Sequence, residues 1–208
     1  LLYMKPRSLI IISTIFLSRC VTYIDKKLFQ FDNYDFLHIQ AYKPGDTLFF
    51  ENNKNEVDTF LILDYETEER GQKQGLISTK PESDYWVCIT QLDKEKLNGF
   101  GRQKTVNGEI VNYQWPVSLV KYPPSQTIHY NFSFMTFYTQ QDSTFGTFHS
   151  DTLTLNKKSI TNYYAISHGF PERLNDPKDI EQLLWTDNEG WVAYKFKSGI
   201  WWTKKSSR

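Results

Sequence analysis

The feature that most constrains the fold is an apolar side chain at every second position, in short segments separated by turn-forming residues. Period two places successive side chains on opposite faces of an extended chain, so each segment predicts a strand with one buried face. The segments recur about every eight to twelve residues, which predicts a mainly β protein with antiparallel sheets. In the clearest segment the predicted buried face consists of Ile128, Tyr130, Phe132, Phe134 and Tyr138.

Three pairs of these segments predict hairpins. The segments 47–51 and 57–66 are joined by an asparagine-rich turn, and in the second of them the odd-numbered residues form the predicted apolar face. Asn107-Gly108 is a strong two-residue hairpin signal, because both residues tolerate positive φ. Ser198-Gly199 separates a third pair. A barrel, a half-barrel and a sandwich all share this alternation, so the sequence leaves these three architectures open.

One short helix is predicted near the C-terminus, at residues 177–185. Asp176 can cap it, and Pro177 suits its first turn because proline has a fixed φ and no N–H. Ile180, Leu183 and Leu184 would share one face of this helix.

Residues 1–19 have the pattern of a signal segment. Lys5 and Arg7 follow Met4, the expected start, and precede the apolar run 9–17. A membrane-spanning helix needs about 20 apolar residues, so this run is too short to remain as a span. Residues 20–208 are then expected to form a single β-rich domain.

The charge balance argues against nucleic acid or anionic lipid as the main partner. The full sequence has 24 basic and 24 acidic residues. Removal of residues 1–19 takes away Lys5, Arg7 and Arg19 and no acidic residue, which leaves 21 basic and 24 acidic residues. A slightly acidic chain lacks the basic surface that nucleic acids require.

The segment ending at Cys20 resembles the lipobox of bacterial lipoproteins, in which the cysteine is acylated and becomes the first mature residue. Leu17-Ser18-Arg19-Cys20 departs from that pattern at Arg19, where a small residue is usual. The alternatives are an uncleaved anchor and ordinary secretion. The resemblance implies lipidation at Cys20 and a membrane partner held through the N-terminal lipid.

Two further stretches, 45–60 and 163–202, resemble small uncharacterised lipoproteins of Bacteroidota, especially of flavobacteria. The similar motifs are Gly45-Asp46-Thr47-Leu48 in the first stretch, and Glu189-Gly190-Trp191 with Gly199-Ile200-Trp201-Trp202 in the second. This resemblance implies an exported protein of the cell envelope, in the periplasm or at the outer-membrane surface. It implies no catalytic residue.

Catalytic, cofactor and metal motifs are absent from the sequence. There is no Gly-x-Ser-x-Gly elbow, no His-x-His, no His-Glu-x-x-His and no phosphate-binding glycine loop. His149 and Asp151 offer only two metal ligands, and the acidic residues 64–69 are predicted to form a solvated turn. His168 lies on the same face of a predicted strand as apolar residues. This position predicts a hydrogen-bonded core histidine rather than a general base.

The tryptophans give the one hint of a ligand. Trp191, Trp201 and Trp202 could stack on sugar rings, because indole has a flat apolar face and a polar edge. The alternative for each of them is a place in the core.

Two functional hypotheses follow. The first is a non-enzymatic envelope lipoprotein with a binding or scaffold role, without cofactor or metal. The second is a carbohydrate-binding or carbohydrate-active surface protein. A glycan or an envelope protein is the expected partner besides the membrane.

Overall fold

The computed structural model describes residues 31–70, 82–91, 102–122, 127–142 and 144–205. The predicted signal segment and Cys20 lie outside these residues. The described strands are β1 (Thr47–Asn52), β2 (Val57–Arg70), β3 (Glu82–Gln91), β4 (Arg102–Val106), β5 (Glu109–Tyr113), β6 (Ser118–Tyr122), β7 (Thr127–Phe134), β8 (Phe137–Asp142), β9 (Thr147–Leu155), β10 (Lys158–Ser167), β11 (Ile180–Thr186), β12 (Gly190–Phe196) and β13 (Trp201–Lys204).

Eleven of the strands form one antiparallel sheet, in the order β8-β7-β6-β3-β2-β1-β13-β12-β11-β10-β9, and β4 and β5 form a separate hairpin. The sheet curls on itself. Phe134 on β7 contacts Trp191 on β12 with ring centroids 4.3 Å apart, although five strands lie between these two in the sheet. The mainly β, antiparallel prediction is therefore confirmed, and the open, curled sheet corresponds to the half-barrel among the three alternatives.

Aromatic side chains fill the concave side of the sheet. Phe50, Phe60, Phe134, Trp191 and Tyr194 are each no more than 1% exposed, and their rings pack mainly in tilted or edge-to-face contacts. Such contacts place the positive edge of one ring near the negative face of another. This cluster joins both halves of the curled sheet into a single core.

The first hairpin is confirmed, but the predicted apolar face of its second strand is wrong for residues 57–62. Beyond the irregularity between Ile62 and Asp64, Tyr65 of the predicted face does pack against the core. β2 buries Asp58, Phe60 and Ile62, whereas Val57 on the odd-numbered face is 44% exposed. The carboxylate of Asp58 is buried because it accepts a hydrogen bond of 2.5 Å from the Tyr194 hydroxyl. Because a polar residue lies on the core face, the hydrophobic pattern did not indicate that this face is buried.

The predicted parity is confirmed for β7 but wrong for Tyr138. Tyr130, Phe132 and Phe134 are buried, and a turn at Met135 and Thr136 then reverses the chain. Tyr138 therefore belongs to the next strand, β8, where its side chain is 44% exposed.

The predicted helix at 177–185 is wrong, because β11 occupies this region. Asp176 does form a capped turn, in which its Oδ1 accepts the Lys178 N–H, but the chain continues as a strand. Leu183 belongs to the main core and Leu184 to a second apolar cluster on the opposite face. Because both faces of the strand are covered, it carries apolar residues on each face. Their spacing along the chain resembles that of the apolar face of a helix. Among the described residues, the one regular helical element is the short 3-10 helix Pro171–Arg173.

The hairpin of β9 and β10 folds over the outer face of the sheet. β10 pairs with β11 only from Tyr164 to Ser167, and an irregularity at Asn162, with φ of 51°, separates this part from the rest of the hairpin. The tip of the hairpin reaches β13, where the Asn156 amide donates to the Trp201 carbonyl at 3.2 Å. The second apolar cluster, which contains Ile160, Leu184 and Val192, therefore lies beneath the hairpin.

The other two predicted hairpins are confirmed. Asn107 and Gly108 connect β4 to β5 with φ of 50° and 85°, and Gly199 adopts a φ of 83° between β12 and β13. No helix in the described ranges is both long enough and apolar enough to cross a membrane.

Candidate functional site

An open groove of about 660 Å³ lies where the β7–β8 turn meets the connection between β10 and β11. This volume is within the range of small-ligand pockets. Two hydrogen bonds hold the walls together: the Gly169 N–H donates to the Tyr138 carbonyl at 2.8 Å, and the Ile180 N–H donates to the Thr136 hydroxyl at 2.9 Å. The residues lining the groove are Tyr113, Gln114, Trp115, Ser133, Met135, Thr136, Phe137, Tyr138, His168, Phe170, Arg173, Leu174 and Asp179.

His168 fixes the geometry of this groove. Its Nδ1 accepts the Phe170 N–H at 2.9 Å, so the neutral ring carries its proton on Nε2, which donates to the Thr136 carbonyl at 3.1 Å. The side chain is buried. The prediction of a hydrogen-bonded core histidine is confirmed. Because both ring nitrogens are engaged, His168 positions Phe170 and has no lone pair to offer as a general base.

Two aromatic rings form one wall of the groove. Tyr138 and Phe170 are 44% and 37% exposed, and their rings are nearly parallel, at 8°, with centroids 6.1 Å apart. The turn at Pro171–Arg173 places the Arg173 guanidinium carbon 4.4 Å from the centroid of the Phe170 ring. This stacking orients the guanidinium plane and leaves its N–H groups as donors toward a ligand.

Asp179 adds a carboxylate to the groove. Its Oδ2 accepts the N–H groups of Asn175 and Asp176, both at 2.8 Å, so the side chain is fixed by the turn that precedes β11. Within the described part of the chain, Oδ1 has no protein donor and can accept from a ligand. The groove therefore combines flat apolar surface with a fixed cationic donor and a fixed anionic acceptor.

The predicted ligand-binding tryptophans lie elsewhere. Trp191 is 1% exposed and Trp202 is 5% exposed, and both rings are part of the main core. Trp201 is half-buried on the outer face, where it packs against the second apolar cluster and lies 5.8 Å from the Lys195 Nζ. Burial leaves Trp191 and Trp202 without a face for a sugar, which corrects the hypothesis of an exposed Trp191–Trp201 pair.

The acidic residues 64–69 do not form the predicted solvated turn, because they belong to strand β2. His149 Nδ1 and Asp151 Oδ1 lie 3.8 Å apart at the surface, and the His149 ring stacks on Tyr163. Asp64 and Glu66 lie beside Cys88, with one potential ligand atom from each within 4.8 Å of the others. The Glu66 carboxylate is also 3.5 Å from the Tyr113 hydroxyl.

A partly exposed histidine–carboxylate pair escaped prediction. His38 Nδ1 lies 2.6 Å from Asp187 Oδ1, and the His38 ring stacks on Phe145 at 4.2 Å. The Trp185 indole N–H donates to the His38 carbonyl at 2.5 Å. These contacts fasten the turn-rich segment 31–42 across one end of the curled sheet. No local motif could have revealed the pair, because 149 residues separate its members.

The groove residues also escaped prediction, although a signal existed. Tyr138 and Phe170 each stand near a turn, where an aromatic side chain is harder to bury than in the middle of a strand.

No family model, curated protein or solved structure matches the chain.

Proposed function

We propose that the protein is a non-enzymatic lipoprotein of the cell envelope that binds a ligand in the aromatic groove. The observation that carries this proposal is the pair of exposed, nearly parallel rings of Tyr138 and Phe170 beside the stacked guanidinium of Arg173. Rigid aromatic surface with a few fixed polar groups is typical of binding sites. The engagement of both ring nitrogens of His168 favours binding over acid–base chemistry.

The ligand that best fits this groove is a carbohydrate, which is the second candidate function. The apolar C–H faces of a sugar ring stack on aromatic side chains, and its hydroxyl groups pair with both donors and acceptors. Arg173 supplies positively charged donors, and Asp179 supplies a negatively charged acceptor. Location in the envelope would bring the groove close to surface glycans.

A glycan array followed by calorimetry tests the groove. The full chain should bind at least one glycan saturably, and the double substitution Tyr138→Ala/Phe170→Ala should weaken this binding by about tenfold or more, because the stacking surface is removed. Arg173→Ala should weaken it while leaving the rings in place. The matched control is Phe148→Ala, which removes a ring that is 53% exposed on β9 and does not line the groove. Absence of glycan binding, or an equal loss in the control, would contradict the carbohydrate proposal.

Lipidation at Cys20 is tested separately, by labelling cells that express the full chain with a radioactive fatty acid. The label should appear in the protein and should disappear in Cys20→Ser, because a thioether to the lipid requires the thiol. Cys88→Ala is the matched control, since this second cysteine is buried in the sheet and should leave the label unchanged. An unlabelled wild-type protein would contradict the lipoprotein assignment.

A further inference from the structure

A second cleft, of about 540 Å³, lies beside the end of β13 and is lined by polar and charged residues. Its walls are the β1–β2 turn, the tip of the β9–β10 hairpin and the end of β13. Asn156 joins these three elements: its amide nitrogen donates to the Glu51 and Trp201 carbonyls, each at 3.2 Å, and to the Thr203 hydroxyl at 3.3 Å. The cleft is therefore held in place by the fold.

Four lysines meet in this cleft, and among the described residues two of them form an ion pair with a carboxylate. Lys158 pairs with Glu189 at 2.8 Å, and Lys205 pairs with Glu51 at 2.6 Å. The ammonium of Lys204 donates to the backbone carbonyl of Glu189 at 2.6 Å, which carries no net charge. Lys157, at the tip of the hairpin with a φ of 68°, is exposed and makes no ion pair with a described residue. Among the described residues, the four ammonium groups of the cleft thus outnumber its two ion-paired carboxylates, Glu51 and Glu189.

Burial gives the positive charge of Lys204 a cost that an anion in the cleft could relieve. Burial lowers the pKa of its ammonium group and the nearby charge of Lys158 lowers it further, while Glu189 and Asp46 act in the opposite direction. An anion within the cleft would reverse both costs, because it would replace lost solvent contacts and offset the repulsion between the two lysines. The exposed side-chain amides of Asn53 and Asn55 add uncharged donors along the rim.

From this arrangement we propose that the cleft binds a phosphate-type oxyanion, through the ammonium groups of Lys157 and Lys204 and the amides of Asn53 and Asn55. A phosphate monoester carries a charge of about −1.5 to −2 at neutral pH and several acceptor oxygens, which match the excess of ammonium groups and the neutral donors. The paired carboxylates of Glu51 and Glu189 are already bound by lysines and do not oppose the anion directly. The proposal does not depend on the carbohydrate site, which lies in a different groove.

Calorimetric titration of the full chain with inorganic phosphate, against chloride at matched ionic strength, tests this site. Saturable phosphate binding is expected, and Lys157→Gln/Lys204→Gln should weaken it by about tenfold. The matched control is Lys43→Gln/Lys178→Gln, which removes the same charge from exposed lysines outside the cleft. The single variant Lys157→Gln changes only an exposed turn residue and should show a smaller loss of phosphate affinity. It tests the site even if the double variant is too unstable to measure.

Vesicles distinguish the two sources of such an anion. Stronger retention on phosphatidylglycerol than on phosphatidylcholine, lost in Lys157→Gln/Lys204→Gln but not in the control, would identify a lipid headgroup. Phosphate binding without this preference would identify a soluble phosphate-bearing ligand. Absence of saturable phosphate binding together with no vesicle preference, or equal losses in both double variants, would overturn the proposal.

Discussion

Gly190 begins β12 at a point where a Cβ atom would have no room. Its φ is 69°, and an added Cβ would lie 2.8 Å from the ring of Tyr42, whose hydroxyl accepts the Trp191 N–H at 2.8 Å. Tyr42 belongs to the segment 31–42 that covers the end of the sheet, so a displaced Tyr42 ring would disturb both this segment and the core around Trp191.

Gly190→Ala should therefore lower the free energy of unfolding by about 3 kcal/mol, of which about 1 kcal/mol comes from the positive φ and the rest from overpacking. Gly199→Ala is the matched control, because Gly199 has a φ of 83° but no atom within 4 Å of an added Cβ. That variant should lose only about 1 kcal/mol. Urea unfolding measures both, and equal losses in the two variants would show that the contact with Tyr42 carries no cost.

Among the elements, those fixed by short-range chemistry could be predicted from the sequence. The three hairpins follow from turn residues that accept positive φ, such as Asn107 and Gly108, and this preference acts within a few residues of chain. The alternation of β7 is also local, because one face of that strand is buried and the other is not. Tyr138 was misplaced because the turn at Met135 and Thr136 contains no typical turn residue.

Elements whose environment depends on distant parts of the chain could not be predicted. β11 has an apolar residue on each face at Leu183 and Leu184 because the β9–β10 hairpin covers its outer side, and nothing within residues 177–185 encodes that cover. The candidate site has the same limitation. Tyr138 and Phe170 meet only because the connection after β10 crosses to the β7–β8 turn, where Gly169 binds the Tyr138 carbonyl.

At the scale of the whole molecule, the aromatic core makes stability depend on alkaline pH. Tyr42 and Tyr194 are 3% and 0% exposed, and burial raises the pKa of both hydroxyl groups; the Asp58 carboxylate raises that of Tyr194 further. Burial, assisted by Asp35, raises the pKa of Tyr130 to about 12. In the unfolded chain all three ionise near pH 10. The folded state keeps these protons longer, so their contribution to stability is complete below about pH 10 and falls as the pH rises.

Tyr42 and Tyr194 should each remove about 1.4 kcal/mol of stability for every pH unit above about 10. The decline due to Tyr130 should end near its folded pKa of about 12, whereas that of the two fully buried tyrosines continues beyond it. Because domains are stable by about 5 to 15 kcal/mol, the curled sheet should unfold cooperatively within a few pH units. Near-ultraviolet circular dichroism, recorded together with tyrosinate absorbance, measures this transition. A core in which the buried tyrosines ionise gradually from about pH 10 without loss of the dichroic signal would contradict the packing described for Tyr42 and Tyr194.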